Sequence, residues 1–158
     1  KYSTNFYKNF FKPRFFICFF FNLHLSIFYI KMNIKSSQTL VQEALKTVKT
    51  ISPAEALEKV QKKQCNLIDI RDTIEIQSTG GIENSFHIPR GLLEFWIHPQ
   101  SAYVEKEKLD HNKEIVLFCA AGGRSALAVK TLEEMGFKNV SHIEGGFNLM
   151  KDSGFKIK

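Results

Sequence analysis

Cysteine is scarce in this chain, and acidic residues are missing from its first part. Three cysteines, Cys18, Cys65 and Cys119, occur in 158 residues, which is too few for the disulfide framework of a small secreted protein. The net charge of +6 is concentrated in residues 1–31, which hold five basic and no acidic side chains. The other 127 residues hold 17 basic and 16 acidic side chains, so no nucleic-acid partner is expected. Because cysteines are few and no disulfide framework is expected, the sequence predicts a reducing, cytoplasmic compartment.

Residues 1–31 also lack alanine, glycine and valine, while they hold nine of the fifteen phenylalanines. All five missing residue types have codons that begin with G, so the segment resembles translated AT-rich upstream DNA. We therefore expect residues 1–31 to be a non-native leader and Met32 to be the true start. The alternative is a membrane anchor through residues 15–30, although this apolar run is shorter than the roughly 20 residues of a spanning helix. A membrane is a partner only under that alternative.

Short apolar runs alternate with amphipathic stretches in the rest of the chain. Residues 32–50 predict a helical lead-in, and Ser52-Pro53-Ala54-Glu55 is a capping box with proline at the first helical position. Strands are predicted at 66–70, from 86, at 115–118 and at 140–143, with helices between them. Residues 51–158 are therefore expected to form an α/β domain with a mainly parallel sheet. Ligand sites in such folds lie at the carboxyl edge of the sheet.

A cysteine stands at that edge. The apolar run 115–118 ends at Cys119, four small residues follow, and Arg124 opens a helical pattern. A strand, a tight loop and a helix start aim backbone N–H groups at an anion. A thiolate at Cys119 would be stabilised by the loop amides, the helix dipole and Arg124. The pattern predicts a reactive thiol that handles an anionic substrate, and we expect no metal or organic cofactor.

Four motifs, at 67–72, 80–91, 119–125 and 144–147, resemble in this order the single-domain rhodanese (thiosulfate sulfurtransferase) family. The resemblance covers roughly residues 50–155 and implies a three-layer fold with a central parallel sheet. Arginine often follows the cysteine in this family, so Ala120 leaves the loop with one positive charge fewer. The resemblance implies a catalytic Cys119, a substrate-binding loop of Ala120, Ala121, Gly122, Gly123, Arg124 and Ser125, and supporting roles for Asp69 and Arg71. Arg90 is expected to support the site from the mouth of the pocket, with a surface arginine as the alternative.

The resemblance implies a double displacement. The Cys119 thiolate takes sulfur from a small anionic sulfur donor such as thiosulfate, and a thiol or cyanide acceptor then removes it from the persulfide. One alternative is a persulfide carrier that a protein sulfur donor feeds. Another is a cysteine phosphatase or arsenate reductase, which is disfavoured because Cys119 and Arg124 enclose four residues, one fewer than in such phosphatases.

Other polar and aromatic residues are interpreted as structural. His87 is expected to be a hydrogen-bonded structural histidine, and Cys65 a bystander at the start of a strand. Phe95 and Trp96 are expected to pack in the core. His142 carries no signal that the sequence alone makes readable.

Overall fold

Five parallel strands form the central sheet of this protein. The computed structural model describes residues 34–107 and 109–158, so the expectations for residues 1–31 lie outside the described residues. The strands are β1 (Thr50–Ile51), β2 (Cys65–Asp69), β3 (Phe86–His87), β4 (Glu114–Phe118) and β5 (Val140–Ile143). Their order is β1-β5-β4-β2-β3, and every neighbouring pair is parallel. The predicted parallel α/β sheet is confirmed.

Helices connect the strands. They are α1 (Ser37–Leu45), α2 (Pro53–Gln61), α3 (Thr73–Thr79), α4 (Leu93–Trp96), α5 (Ala102–Glu107), α6 (Gly123–Glu134) and α7 (Gly146–Met150), with 3₁₀ turns at Arg90–Leu92 and Lys151–Ser153. Over residues 34–107 and 109–158, no helix is long and apolar enough to cross a bilayer.

The helical lead-in is shorter than expected. It ends at Leu45, and β1 follows before α2. The expectation that the lead-in continues to residue 50 was wrong, because β1 is a two-residue edge strand whose pairing with β5 leaves no local pattern in the sequence.

The sheet separates two apolar layers. All five residues of β4 are buried, as expected for a parallel strand covered on both faces. Ile115 and Leu117 pack in one core with residues of α1 and α6, whereas Val116 and Phe118 pack in the other with residues of α2 and α7. The alternation follows from the two-residue period of a strand and confirms the three-layer arrangement.

Two helix starts carry side-chain caps, and the second of them bears on the site. Ser52 Oγ accepts the Glu55 N–H at 3.2 Å, but the Glu55 carboxylate pairs with Lys59 instead of returning to Ser52, so only half of the predicted capping box forms. At the start of α3, Asp72 is the N-cap residue, and Glu75 Oε2 accepts its N–H at 3.0 Å. This second cap fixes the position of the Glu75 carboxylate.

Candidate active site

Cys119 is the first residue beyond the carboxyl end of the central strand β4. It carries a free thiol, is only 2% exposed, and packs in the core on the α6 side. The Gly122 N–H donates a hydrogen bond to Cys119 Sγ at 3.2 Å. The thiol thus lies beneath a loop whose next residues open α6, at the edge of the sheet where the sequence predicted a site.

The start of α7 supports the outer side of this loop. The Phe147 N–H donates to the Cys119 carbonyl at 2.8 Å, and the Asn148 N–H donates to the Ala120 carbonyl at 3.0 Å. Such close approach requires glycine, because a Cβ on Gly146 would lie 2.2 Å from the Cys119 carbonyl oxygen. The motif at 144–147 is therefore a clamp on the loop, a role that the sequence did not predict for it.

A chain of buried polar groups supports the loop from below. Ser125 is fully buried, and its hydroxyl donates to the Gly122 carbonyl at 2.9 Å. His142 Nδ1 lies 3.5 Å from Ser125 Oγ, and His142 Nε2 lies 2.9 Å from Thr50 Oγ1. Burial lowers the pKa of His142, so the imidazole is neutral at neutral pH. The sequence missed His142, since its place in a strand does not reveal its partners.

Arg124 closes the loop and is itself paired. Its two terminal nitrogens donate to the two carboxylate oxygens of Glu75, each at 2.7 Å, and Asp72 Oδ2 lies 3.9 Å from Nη1. Hydrogen bonds from Arg124 lower the pKa of Glu75 to about 2. The pKa of Arg124 is raised, first by Glu75 and to a smaller extent by the charges of Cys119 and Asp72. Arg124 is therefore a neutralised cation rather than a free one.

Glu75 is a second residue that the sequence analysis missed. The spacing of Asp72 and Glu75 is a recognisable helix-start pattern, which could have placed the carboxylate at the start of α3. Its pairing with Arg124, 49 residues later, follows only from the tertiary structure.

Asp69 and Arg71 form a buried ion pair behind the site, each 1% exposed, with 2.6 Å between Arg71 Nη2 and Asp69 Oδ2. Arg71 also donates to Thr79 Oγ1 and to the Gly80 carbonyl, both at 2.9 Å. Its guanidinium lies 3.8 Å from the centroid of the Phe147 ring. The pair connects β2 with the end of α3 and with α7, and so reaches the loop through Phe147.

Arg90 lies farther from the loop. Its guanidinium pairs with Glu94 at 2.5 Å and lies 3.5 Å from Thr131 Oγ1. Thr131 is about 10 Å along α6 from Arg124 by helical rise. The structure therefore places Arg90 against the middle of α6 and does not bring it together with Cys119.

The remaining interpretations have mixed outcomes. His87 Nε2 lies 2.9 Å from the Arg71 carbonyl, so it is hydrogen-bonded as expected. Trp96 stacks on Tyr103, with ring centroids 4.9 Å apart. Phe95 is 74% exposed, so its predicted place in the core was wrong; the four-residue helix α4 buries Leu93 instead.

Cys65 differs from Cys119 in position and chemistry. It pairs with Glu114 in the register of β2 and β4, at the amino ends of the strands and therefore at the opposite edge of the sheet. Burial and, to a smaller extent, the charge of Glu114 raise the pKa of the Cys65 thiol to about 11. A thiol of this kind is unreactive at neutral pH.

The match to known proteins agrees with this geometry. The rhodanese-like domain family matches residues 52–153. This chain belongs to that family. Over 100 residues it is 37% identical to the "Putative sulfurtransferase YtwF" of Bacillus subtilis, which covers 63% of this chain and 86% of the relative. Over 103 residues it is 31% identical to the thiosulfate sulfurtransferase GlpE of Coxiella burnetii, covering 65% and 87%.

One similar solved structure is described as a possible phosphatase and not as a sulfurtransferase. The protein of unknown function RPA3614 from Rhodopseudomonas palustris, described as a possible tyrosine phosphatase, is 41% identical with a TM-score of 0.67. The match covers 78% of this chain and 95% of that one. The single-domain rhodanese prediction is confirmed by the family match, and the sulfurtransferase relatives support sulfur transfer as the general chemistry.

Proposed function

We infer that this protein is a sulfurtransferase that carries sulfane sulfur as a persulfide on Cys119. The observation that carries this inference is the thiol at the end of β4, 2% exposed, with Sγ accepting the Gly122 N–H at 3.2 Å. The loop and the start of α6 directly follow Cys119 in the chain, and we expect their N–H groups to bind a second sulfur on Sγ. A sulfur–sulfur bond is about 2 Å long. In this proposal the outer sulfur lies on the loop side of Sγ, where the Gly122 N–H already binds.

The reaction has two displacements. The Cys119 thiolate attacks the outer sulfur of thiosulfate or a similar sulfur donor. The S–S bond of the sulfur donor breaks, and sulfite leaves with the bonding electrons. Cyanide or a thiol then attacks the outer sulfur of the persulfide, takes it as thiocyanate or a new persulfide, and restores the Cys119 thiolate. Backbone N–H groups of residues 120–125 stabilise the negative charge on the terminal sulfur in both steps.

A persulfide carrier fed by a protein sulfur donor is the main alternative. The chemistry at Cys119 is the same, and only the first sulfur donor differs. A phosphatase is the weaker alternative, since the loop is one residue shorter than a phosphatase loop. A phosphatase also needs a carboxylic acid near the leaving group. Glu94 is paired with Arg90, and Asp72 lies near Arg124.

The test is turnover with thiosulfate and cyanide, read as thiocyanate, in the wild type, Cys119→Ser and Cys65→Ser. We expect turnover in the wild type and Cys65→Ser and none in Cys119→Ser. Absence of turnover, together with loading of Cys119 by a protein persulfide, would favour the carrier. Hydrolysis of p-nitrophenyl phosphate that depends on Cys119, without any sulfur transfer, would overturn the proposal in favour of a phosphatase.

A further inference from the structure

The cluster formed by Arg124, Glu75 and Asp72 has a net negative charge. Arg124 contributes one positive charge, while Glu75 and Asp72, whose oxygens lie 2.7 and 3.9 Å from its guanidinium, contribute two negative ones. The pKa of Glu75, lowered to about 2, keeps that carboxylate ionised at any physiological pH. The Asp72 side chain is 68% exposed and stands on the solvent side of this cluster.

The other arginines in residues 34–107 and 109–158 do not offset this charge. Arg71 is buried and paired with Asp69, and Arg90 is paired with Glu94. Residues 120–123 are alanines and glycines. Backbone N–H groups are therefore the main attraction that the loop offers to an anion, against a net negative side-chain cluster.

A dianion is disfavoured at such a site. Thiosulfate carries two negative charges, and its leaving group, sulfite, carries two as well, so the excess negative charge around Arg124 would repel both. An organic persulfide, R–S–SH, has no dianionic head group and releases a thiolate with a single charge. Because Cys119 is 2% exposed, a low-molecular-weight persulfide reaches Sγ more easily than the surface cysteine of a folded protein does.

We propose that the site takes its sulfur from a low-molecular-weight organic persulfide and that Asp72 discriminates against dianionic sulfur donors. This rests on the proposed sulfur transfer. In the step, Cys119–S⁻ attacks the outer sulfur of R–S–SH, the S–S bond breaks, and R–S⁻ leaves with the bonding electrons. The outer sulfur and its proton remain as Cys119–S–SH, so no oxidant or reductant is consumed.

Asp72→Asn tests the role of Asp72 directly. Asparagine also caps helices well, so α3 keeps its start while one negative charge is removed. At an assumed separation of about 8 Å in water, the repulsion between a dianion and one carboxylate corresponds to about a fivefold change in rate. We therefore expect Asp72→Asn to load Cys119 from thiosulfate about fivefold faster at low salt and from cysteine persulfide, a zwitterion, at an unchanged rate.

The measurement is the rate at which the full chain gains one sulfur atom on Cys119, read by intact mass with Cys119→Ser as the blank. Comparing variant with wild type for each sulfur donor removes the intrinsic reactivity of that compound. The matched control is Glu83→Gln, which removes a negative charge from a groove lined by Gln61 and Lys63 at the other edge of the sheet. This control should change neither rate.

The outcomes separate the two proposals. A faster thiosulfate reaction in Asp72→Asn alone, with wild-type loading faster from cysteine persulfide than from thiosulfate, supports the charge-based choice of sulfur donor. An unchanged or slower thiosulfate reaction in Asp72→Asn, or a wild type that loads faster from thiosulfate, overturns that choice and leaves sulfur transfer intact. No loading of Cys119 from either compound would overturn this choice of sulfur donor, and failure of a protein persulfide to load Cys119 as well would overturn sulfur transfer itself.

Discussion

At the scale of single residues, a relay of polar contacts connects Thr50, His142 and Ser125 with the loop that carries the thiol. The Ser125 hydroxyl donates its proton to the Gly122 carbonyl. Ser125 Oγ can therefore accept a hydrogen bond from His142 Nδ1–H. The Thr50 hydroxyl can then donate to the unprotonated Nε2, 2.9 Å away. The neutral His142 that burial favours fits this arrangement, and the relay ends at Gly122, whose N–H binds Cys119 Sγ.

Substitutions at His142 test this relay. We expect His142→Leu to slow sulfur loading of Cys119 by roughly threefold to tenfold, since Ser125 loses a partner worth about 1 kcal/mol. His142→Asn should recover part of the rate, because its amide N–H occupies nearly the place of Nδ1–H. Loading rates by intact mass, compared with urea unfolding of the same variants, separate this effect from stability.

A double substitution provides the control. If the relay is real, His142→Leu should slow loading much less in a Ser125→Ala background than in the wild type, since contacting residues are not additive. Full additivity would contradict the relay.

At the scale of elements, the Glu75–Arg124 ion pair connects α3 with the start of α6. Both carboxylate oxygens of Glu75 are engaged by Arg124, and one of them also caps α3. The capping pattern is visible in the sequence, but the ion pair is not, because it joins two helices that are distant along the chain. The parallel sheet, in contrast, was predictable because its longer strands are continuous apolar runs.

This link predicts a pH dependence of stability. The pKa of Glu75 is lowered from about 4.5 to about 2 on folding, so its contribution is complete above about pH 5 and disappears as the pH falls toward 2. We expect Glu75→Gln, which keeps a capping acceptor, to unfold at lower urea concentration than the wild type at pH 7. The difference between the two proteins should shrink between pH 5 and pH 3. A difference that is constant over this range would contradict the ionic contribution.

At the scale of the whole molecule, the site is assembled from segments that lie far apart in the chain. The carboxyl end of β4, the start of α6, the start of α3 and the glycine turn before α7 meet at one edge of the sheet. The sequence motifs named most of these segments, and the parallel sheet explains why they converge. The clamp by 146–148 could not be read from the sequence, because it consists of backbone contacts.

Gly146→Ala tests the clamp. Gly146 has a φ of +54°. An alanine in this left-handed conformation should lower the free energy of unfolding by about 1–2 kcal/mol, and its Cβ would in addition contact the Cys119 carbonyl. We expect a lower urea midpoint and slower sulfur loading. Gly91→Ala is the matched control, because a Cβ there meets nothing within 4 Å. Equal effects of the two substitutions would contradict a specific clamp.

The central claim is that Cys119 carries the transferred sulfur. The most direct measurement is to incubate the full chain with a sulfane sulfur donor, trap the persulfides and map the modified peptides by mass spectrometry. The account predicts one added sulfur on the peptide that contains Cys119, removed by cyanide and absent from Cys119→Ser, while Cys65, with its pKa near 11, stays unmodified. Added sulfur on Cys65 in preference to Cys119, or none on Cys119 from thiosulfate, cysteine persulfide or a protein persulfide, would contradict it.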